Sequence, residues 1–156
     1  VEIIDKVYDD IGRKPYKSLA LITKEPIGVV VAIVPWNYPL MMAAWKVGPA
    51  LVTGNSLILK PAEQSPLTAI RMAELLAEAG LPEGVFNVLP GDGTTGKALC
   101  MHNDGDCVAF TGSGEVGKKI LGYSGQSNMK RVQRECGVKS PTIMFYDCEN
   151  MDKMYK

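Results

Sequence analysis

The stretch "GVVVAIV", Gly28 to Val34, constrains the fold more than any other part of the chain. Its β-branched residues run on without a polar alternation, so both faces of the strand must be buried. Such a strand belongs inside a parallel sheet covered by helices. The next segments supply both. "PLMMAAWKVGPALVTG" reads as a helix with Pro39 near its start and Gly54 just past its end. "SLILK", Ser56 to Lys60, is a second strand. Ser65 is expected to cap the following helix, with Pro66 in its first turn and "LTAIRMAELLAEAG" carrying apolar residues at helical spacing. "VFNVL" is a third strand, "TTGKALCMH" a short helix and "CVAF" a fourth strand, which leads through glycines into the helix "EVGKKILGYSG". "KRVQREC" and "PTIMFY" are further strand candidates. The alternation predicts an α/β fold: a Rossmann-like, mostly parallel sheet with helices on both faces. The polar, Pro- and Gly-bearing stretch before it, up to Pro26, reads as a loop or edge hairpin outside that sheet. The expected division is therefore 1–26 as a segment outside the sheet and 27–156 as the α/β domain.

Bulk properties exclude several function classes. The formal net charge is zero, which gives no electrostatic ground for nucleic acid or an anionic membrane as partner. The densest basic cluster, Lys118-Lys119 with Lys130-Arg131, reads as a solvated helix face and strand end. No apolar run reaches membrane-spanning length, and the acidic start "VEIIDKVYDD" is no signal peptide. That start and the end "ENMDKMYK" read as cut elements, so a fragment of a longer, cytoplasmic protein is expected. The four cysteines, Cys100, Cys107, Cys136 and Cys148, form no Cys-x-x-Cys, and His102 is the single histidine; no metal site is expected, and the thiols read as free and mostly buried.

Four motifs bear chemistry. In "PWNYP", prolines fix the backbone around Asn37, whose amide at a strand's carboxyl end could donate to an oxyanion or merely cap the helix. "LKPAEQSP" puts Lys60 and Glu63 just past a strand, where they could bond ribose hydroxyls or form a surface pair. "GSGEVG", Gly112 to Gly117, is a literal G-x-G-x-x-G between strand and helix, either a pyrophosphate loop or a turn built of glycine for packing. An ordinary fingerprint wants a ribose acid about 20 residues on. Glu135 in "RECGVKSP" stands near that distance, and reads as a ribose acid, a general base or a salt-bridge partner.

In this order the motifs resemble the aldehyde dehydrogenase superfamily. The likeness runs through "ITKEPIGVVVAIVPWNYPL", "GNSLILKPAEQSPLTAIRMAEL", "AGLPEGVFNVLPGDG", "VAFTGSGEVGKKI" and "KRVQRECGVKSPTIMF". The wording "IDKVYDD", "HNDGDCVAFTGS" and "SNMKRV" leans toward the bacterial γ-glutamyl-γ-aminobutyraldehyde dehydrogenases. The resemblance implies a partial aldehyde dehydrogenase fold that binds NAD, with NADP the alternative, and oxidises a small-molecule aldehyde. It also implies a homo-oligomeric parent, a dimer or tetramer, with Gly12 to Glu25 resembling part of an oligomerisation arm. It makes Asn37 the oxyanion donor, Lys46 a proton relay and Glu135 the base that activates the deacylating water. To the cofactor surface it assigns Pro35, Trp36, Asn37, Lys60, Pro61, Ala62, Glu63, Gly91, Phe110, Gly112, Ser113, Gly114, Val116 and Gly117, with Val116 beside the adenine. The family's nucleophilic cysteine stands in a Gly-Gln-x-Cys context that these 156 residues do not contain. Cys136 is read as packing, since neighbours on a strand face opposite ways. Three positions depart from the family pattern: Arg134 for an apolar residue, Val138 for a glycine and Gly114 for a threonine.

Overall fold

The computed structural model describes residues 4–13, 19–137 and 143. Val138, Cys148 and nearly all of "PTIMFY" lie outside the described residues. A 3-10 turn at Ile4–Lys6 precedes a two-stranded antiparallel ribbon, β1 (Asp10–Arg13) and β2 (Leu19–Ile22), separate from the main sheet as expected. The main elements follow as β3 (Val29–Ile33), α1 (Pro39–Val52), β4 (Ser56–Lys60), α2 (Leu67–Glu78), β5 (Phe86–Val88), α3 (Gly93–Met101), β6 (Cys107–Gly112), α4 (Gly114–Gln126) and β7 (Arg131–Cys136). Their strands make one five-stranded sheet in the order β5-β4-β3-β6-β7, every pair parallel.

The alternation along β3 sorts the core onto two faces. Val30, Ala32 and Val34 pack with Leu57, Leu59 and the α1 residues Ala43, Val47 and Ala50. Val31 packs on the other face with Val108, Phe110, Cys100 and Ile120. Helices α1 and α2 thus cover one side and α3 and α4 the other. The N-terminal edge of the sheet is locked by side chains: Asn55 Oδ1 accepts from the Gly28 amide at 3.0 Å and Asp106 Oδ2 from the Val29 amide at 2.8 Å. Gly28 needs its glycine, having φ +114° with Asp106 directly against it.

Several local expectations fail for identifiable reasons. Ser65 does not cap α2; its hydroxyl is buried and finds no hydrogen-bond partner, and the helix begins on the backbone of Pro66. Asn37 does not cap α1 either. The cap is Tyr38 in the left-handed region (φ 53°), without a side-chain bond, and Pro39 follows. α3 starts one residue before the expected Thr94 because Asp92 caps it, accepting from the amides of Thr94 and Thr95. Lys130 is no solvated strand end: it is buried, and its ammonium bonds to the Cys100 carbonyl. Of the thiols, Cys100 and Cys107 are buried but Cys136 is exposed.

Candidate active site

The strand order changes direction between β3 and β6, with β4 and β5 on one side and β7 on the other. Ligands of open α/β sheets bind outside the carboxyl ends of strands at such a switch point. β3 ends there in "PWN" and β6 in "GSG", so two motifs more than seventy residues apart become neighbours through the pairing Ile33↔Phe110. β4 delivers Lys60 to the same edge and β7 delivers Glu135.

On the α3/α4 side lies a groove of about 410 Å³. Ile33 and Ile120 floor it, Gly96 and Lys97 come from α3, Val116, Lys119 and Tyr123 from α4, and Lys60 from β4. Lys60 is only 6% exposed; its ammonium donates to the Pro61 carbonyl at 2.8 Å. Burial pushes it below the usual lysine range, and the carboxylates of Glu63 and Asp92 pull it part of the way back. Glu63 itself is exposed on the turn after β4 and does not line the groove. Pro61 is buried, Ala62 half-buried. At Gly91 a Cβ would stand 2.2 Å from Thr95 Oγ1, so the turn into α3 has no room for a side chain.

The glycine loop divides its labour unevenly. A Cβ on Gly112 would meet the Phe110 ring at 2.6 Å, and one on Gly117 would meet Cys136 Sγ at 2.7 Å and Phe110 at 3.5 Å. The first and last glycines therefore make room for Phe110, whose ring is core rather than groove lining, and for Cys136. Gly114, the middle one, has nothing within 4 Å. An ordinary dinucleotide fingerprint needs its middle glycine for backbone approach to the pyrophosphate; here that position is open. Ser113 caps α4, its Oγ accepting from the Val116 amide at 3.3 Å, and the first-turn amides lie at the switch point.

The opposite face holds the candidate chemistry. A cavity of about 460 Å³ is lined by Lys46 and Trp45 of α1, Ala109 of β6, and Gln133 and Glu135 of β7. Glu135 pairs in register with Thr111 and Cys136 with Gly112, so the carboxylate turns toward α1 while the thiol lies against Gly117 of α4. Desolvation lowers the Lys46 ammonium below its usual range, and Glu135 opposes the shift. These two are brought together across a gap in the sequence. Asn37 is not among the lining residues of that cavity; it is exposed with Trp36 at the β3–α1 junction. Sequence reading missed Asp92, Lys97, Lys119 and Tyr123. An Asp before Gly-Thr-Thr after a strand is a readable helix start, whereas groove-lining lysines carry no signal of their own. Among the described residues no group of His, Cys, Asp and Glu could hold a metal, and no helix is long and apolar enough to cross a membrane.

The chain is 55% identical, over 97% of its length, to the NADP/NAD-dependent aldehyde dehydrogenase PuuC of Escherichia coli, of which it covers 31%. Among solved structures, it is 62% identical to the indole-3-acetaldehyde dehydrogenase AldA of P. syringae in complex with NAD+, with a TM-score of 0.86 over 90% of this chain and 28% of that one. It is 56% identical to the gamma-glutamyl-gamma-aminobutyraldehyde dehydrogenase of Burkholderia cenocepacia, with a TM-score of 0.87 over 97% of this chain and 31% of that one. It therefore spans about a third of the length of such relatives. The model of the aldehyde dehydrogenase family matches residues 1–156, and the chain belongs to that family.

Proposed function

We propose that this chain is the dinucleotide-binding part of an NAD(P)-dependent enzyme that oxidises an aldehyde to a carboxylic acid. The observation that carries the reading is the groove between α3 and α4, an apolar floor rimmed by lysines, opening at the switch point beside the α4 N-terminus. Its residues fit an adenosine diphosphate: Val116 and Ile120 offer apolar surface to the adenine, Lys60 faces the ribose with Glu63 on the exposed turn beyond it, and the α4 amides face the pyrophosphate. The PuuC and AldA relatives support NAD+ or NADP+ as the ligand by their names.

When bound, the nicotinamide supplies the hydride acceptor. The chain's own groups then act around it. Glu135, at the end of β7 in the cavity it shares with Lys46, accepts a proton from water. Asn37 donates its amide to the developing oxyanion at the β3 end. Gly-Gln-x-Cys is absent from these residues, so on this reading the 156-residue chain alone binds dinucleotide and leaves aldehydes unoxidised. In the parent, residues 27–156 form the cofactor domain. The segment of residues 1–26, whose two described strands leave Ile11, Leu19, Leu21 and Ile22 exposed, joins it to a second copy in a homo-oligomer.

Calorimetric titration of the chain with NAD+ and NADP+ tests the assignment. Both should bind, NAD+ more tightly. Glu63→Gln removes a ribose acceptor and a charge that repels a 2′-phosphate, so it should shift the NAD+/NADP+ affinity ratio roughly fivefold toward NADP+, the worth of one surface charge. No binding, or an unchanged ratio, overturns the reading of this groove.

A further inference from the structure

Lys130 follows α4 in the turn that opens β7, at the opposite end of that strand from Glu135. It is 5% exposed, unusual for a lysine. Its ammonium donates to the Cys100 carbonyl at 2.7 Å and to Ser127 Oγ at 2.9 Å. Cys100 is in the last turn of α3, and Ser127 is the C-cap of α4, its own hydroxyl bonded to the carbonyls of Tyr123 and Ser124 at 2.9 and 3.2 Å. One cation thus sits between two helix C-termini, where unpaired carbonyls and both helix dipoles place negative charge.

The surrounding turn holds the ammonium in place. Ser124 Oγ donates to the Lys130 carbonyl at 2.6 Å, and the Lys130 amide donates to Asn128 Oδ1 at 3.2 Å. The Asn128 amide reaches back to the carbonyls of Asn103 and Gly105 at 2.7 and 2.9 Å, joining the loop after α3. The lysine stem passes so near Gly105 that a Cβ there would lie 3.4 Å from Lys130 Cε. Burial lowers the affinity of this amine for its proton, and Cys100 and Asp106 act the other way. Burying an ammonium is expensive, and an apolar side chain of similar volume is often neutral or better for stability. The cation's distinctive contribution here is geometric.

We propose that Lys130 is a positioning residue, whose ammonium pins the C-terminal turns of α3 and α4 to one another and thereby sets the width of the groove between them. The groove walls belong to the same two helices: Gly96 and Lys97 on α3 face Ile120 and Tyr123 on α4. Lys97 Nζ already stands 5.7 Å from the centre of the Tyr123 ring, so a small splay of the helices changes what a flat adenine would meet. The role in binding rests on the reading of this groove as the adenosine site; the clamp itself does not.

The experiment uses the 156-residue chain, ADP-ribose as probe, and the variants Lys130→Met, Ser127→Ala and Val47→Ala. Val47 is core on the opposite face and serves as a control for stability loss alone. Lys130→Met should weaken ADP-ribose about tenfold and Ser127→Ala about threefold, the scale of losing one charged or partial hydrogen-bond network. Val47→Ala, though unfolding at lower denaturant, should bind within about twofold of wild type. Amide exchange of the ligand-free chain should accelerate across 94–101 and 116–126 in the Lys130 and Ser127 variants, with β3 and β4 unaltered. Wild-type affinity in Lys130→Met, or an equal loss in Val47→Ala, overturns the proposal. If Lys130→Met does not fold, Ser127→Ala decides by the same two readouts. If wild type binds no ADP-ribose, the adenosine reading fails; the clamp then stands on exchange confined to the two helices and falls if exchange is unchanged or uniformly faster.

Discussion

Gly112→Ala probes what the glycine loop is for. An added Cβ would lie 2.6 Å from Phe110 Cζ and 3.0 Å from Cε2. Ordinary carbon contacts need about 3.5–4.0 Å, so the ring must retreat by about 1 Å. The ring is closely confined: Phe110 is 3% exposed and packs with Val31, Val108, Cys100 and Ile120. Overpacking of this kind costs about 1–3 kcal/mol. Replacing a strand glycine by alanine returns about 0.5–1 kcal/mol through the unfolded chain. The net expectation is a loss of about 1–2 kcal/mol, read as a lower urea midpoint at unchanged m. Phe110→Leu removes the obstructing ring edge at a cost of about 1 kcal/mol, and in that background Gly112→Ala should cost less than about 0.5 kcal/mol. The cycle therefore has a coupling energy of about 1–2 kcal/mol. Additivity within about 0.5 kcal/mol would show that Phe110 and Gly112 do not compete for space, and the packing account of the loop would be wrong.

Gly114→Ala should behave in the opposite way, raising stability by up to about 1 kcal/mol as a helical glycine is replaced in open space, with NAD+ affinity kept within about twofold; a large loss of affinity on titration would restore the middle glycine of an ordinary fingerprint. Native chain treated with a thiol reagent at pH 8 should label Cys136, while Cys100, whose thiol burial pushes up to about 11, and buried Cys107 should react only on unfolding; mass-mapped labelling of Cys100 in the native chain refutes the core placement. Glu135→Gln should lower the Lys46 pKa further, since it removes the attraction that opposes desolvation, and lysine Nζ titration by NMR reads it. Because the folded pKa is depressed, the unfolded chain binds more protons between that value and 10.5, so the Lys46 contribution to stability rises with pH across this window and the variant widens it.

The sheet was legible because β3, β4 and β6 are buried on both faces, and burial leaves no choice but unbroken apolar runs. The helices of a parallel crossover followed from their spacing. Capping was less legible. Ser65 before Pro66 has the right residue type, yet its hydroxyl turns inward, and Asn37 gives way to a left-handed Tyr38, because backbone fixed by the prolines decides the entry to each helix. Lys130 shows the same limit from the other side. In sequence it stands beside Arg131, an exposed strand residue, and nothing in the pair "KR" distinguishes the cation that is swallowed from the one that is solvated. That difference arises only when α3 and α4 end at one place and leave their carbonyls facing the gap.

Glu135 and Cys136 carry the same argument to the candidate chemistry. Adjacent in sequence and alternating on β7, they are sent to opposite sides of the sheet. The carboxylate reaches the cavity of Lys46; the thiol fills the space that Gly117 leaves. The glycine loop and Glu135 therefore belong to different halves of the site despite the spacing that suggests a ribose acid: the loop borders the groove on the α4 face, and Glu135 borders the cavity on the α1 face. A ribose acid must share a face with the nucleotide it holds, and the carboxylates that act on the groove's Lys60 are instead Glu63 and Asp92, which stand just outside its lining. What the sheet separates is thus a binding face from an acid–base face, and the two meet only at the carboxyl ends of β3 and β6.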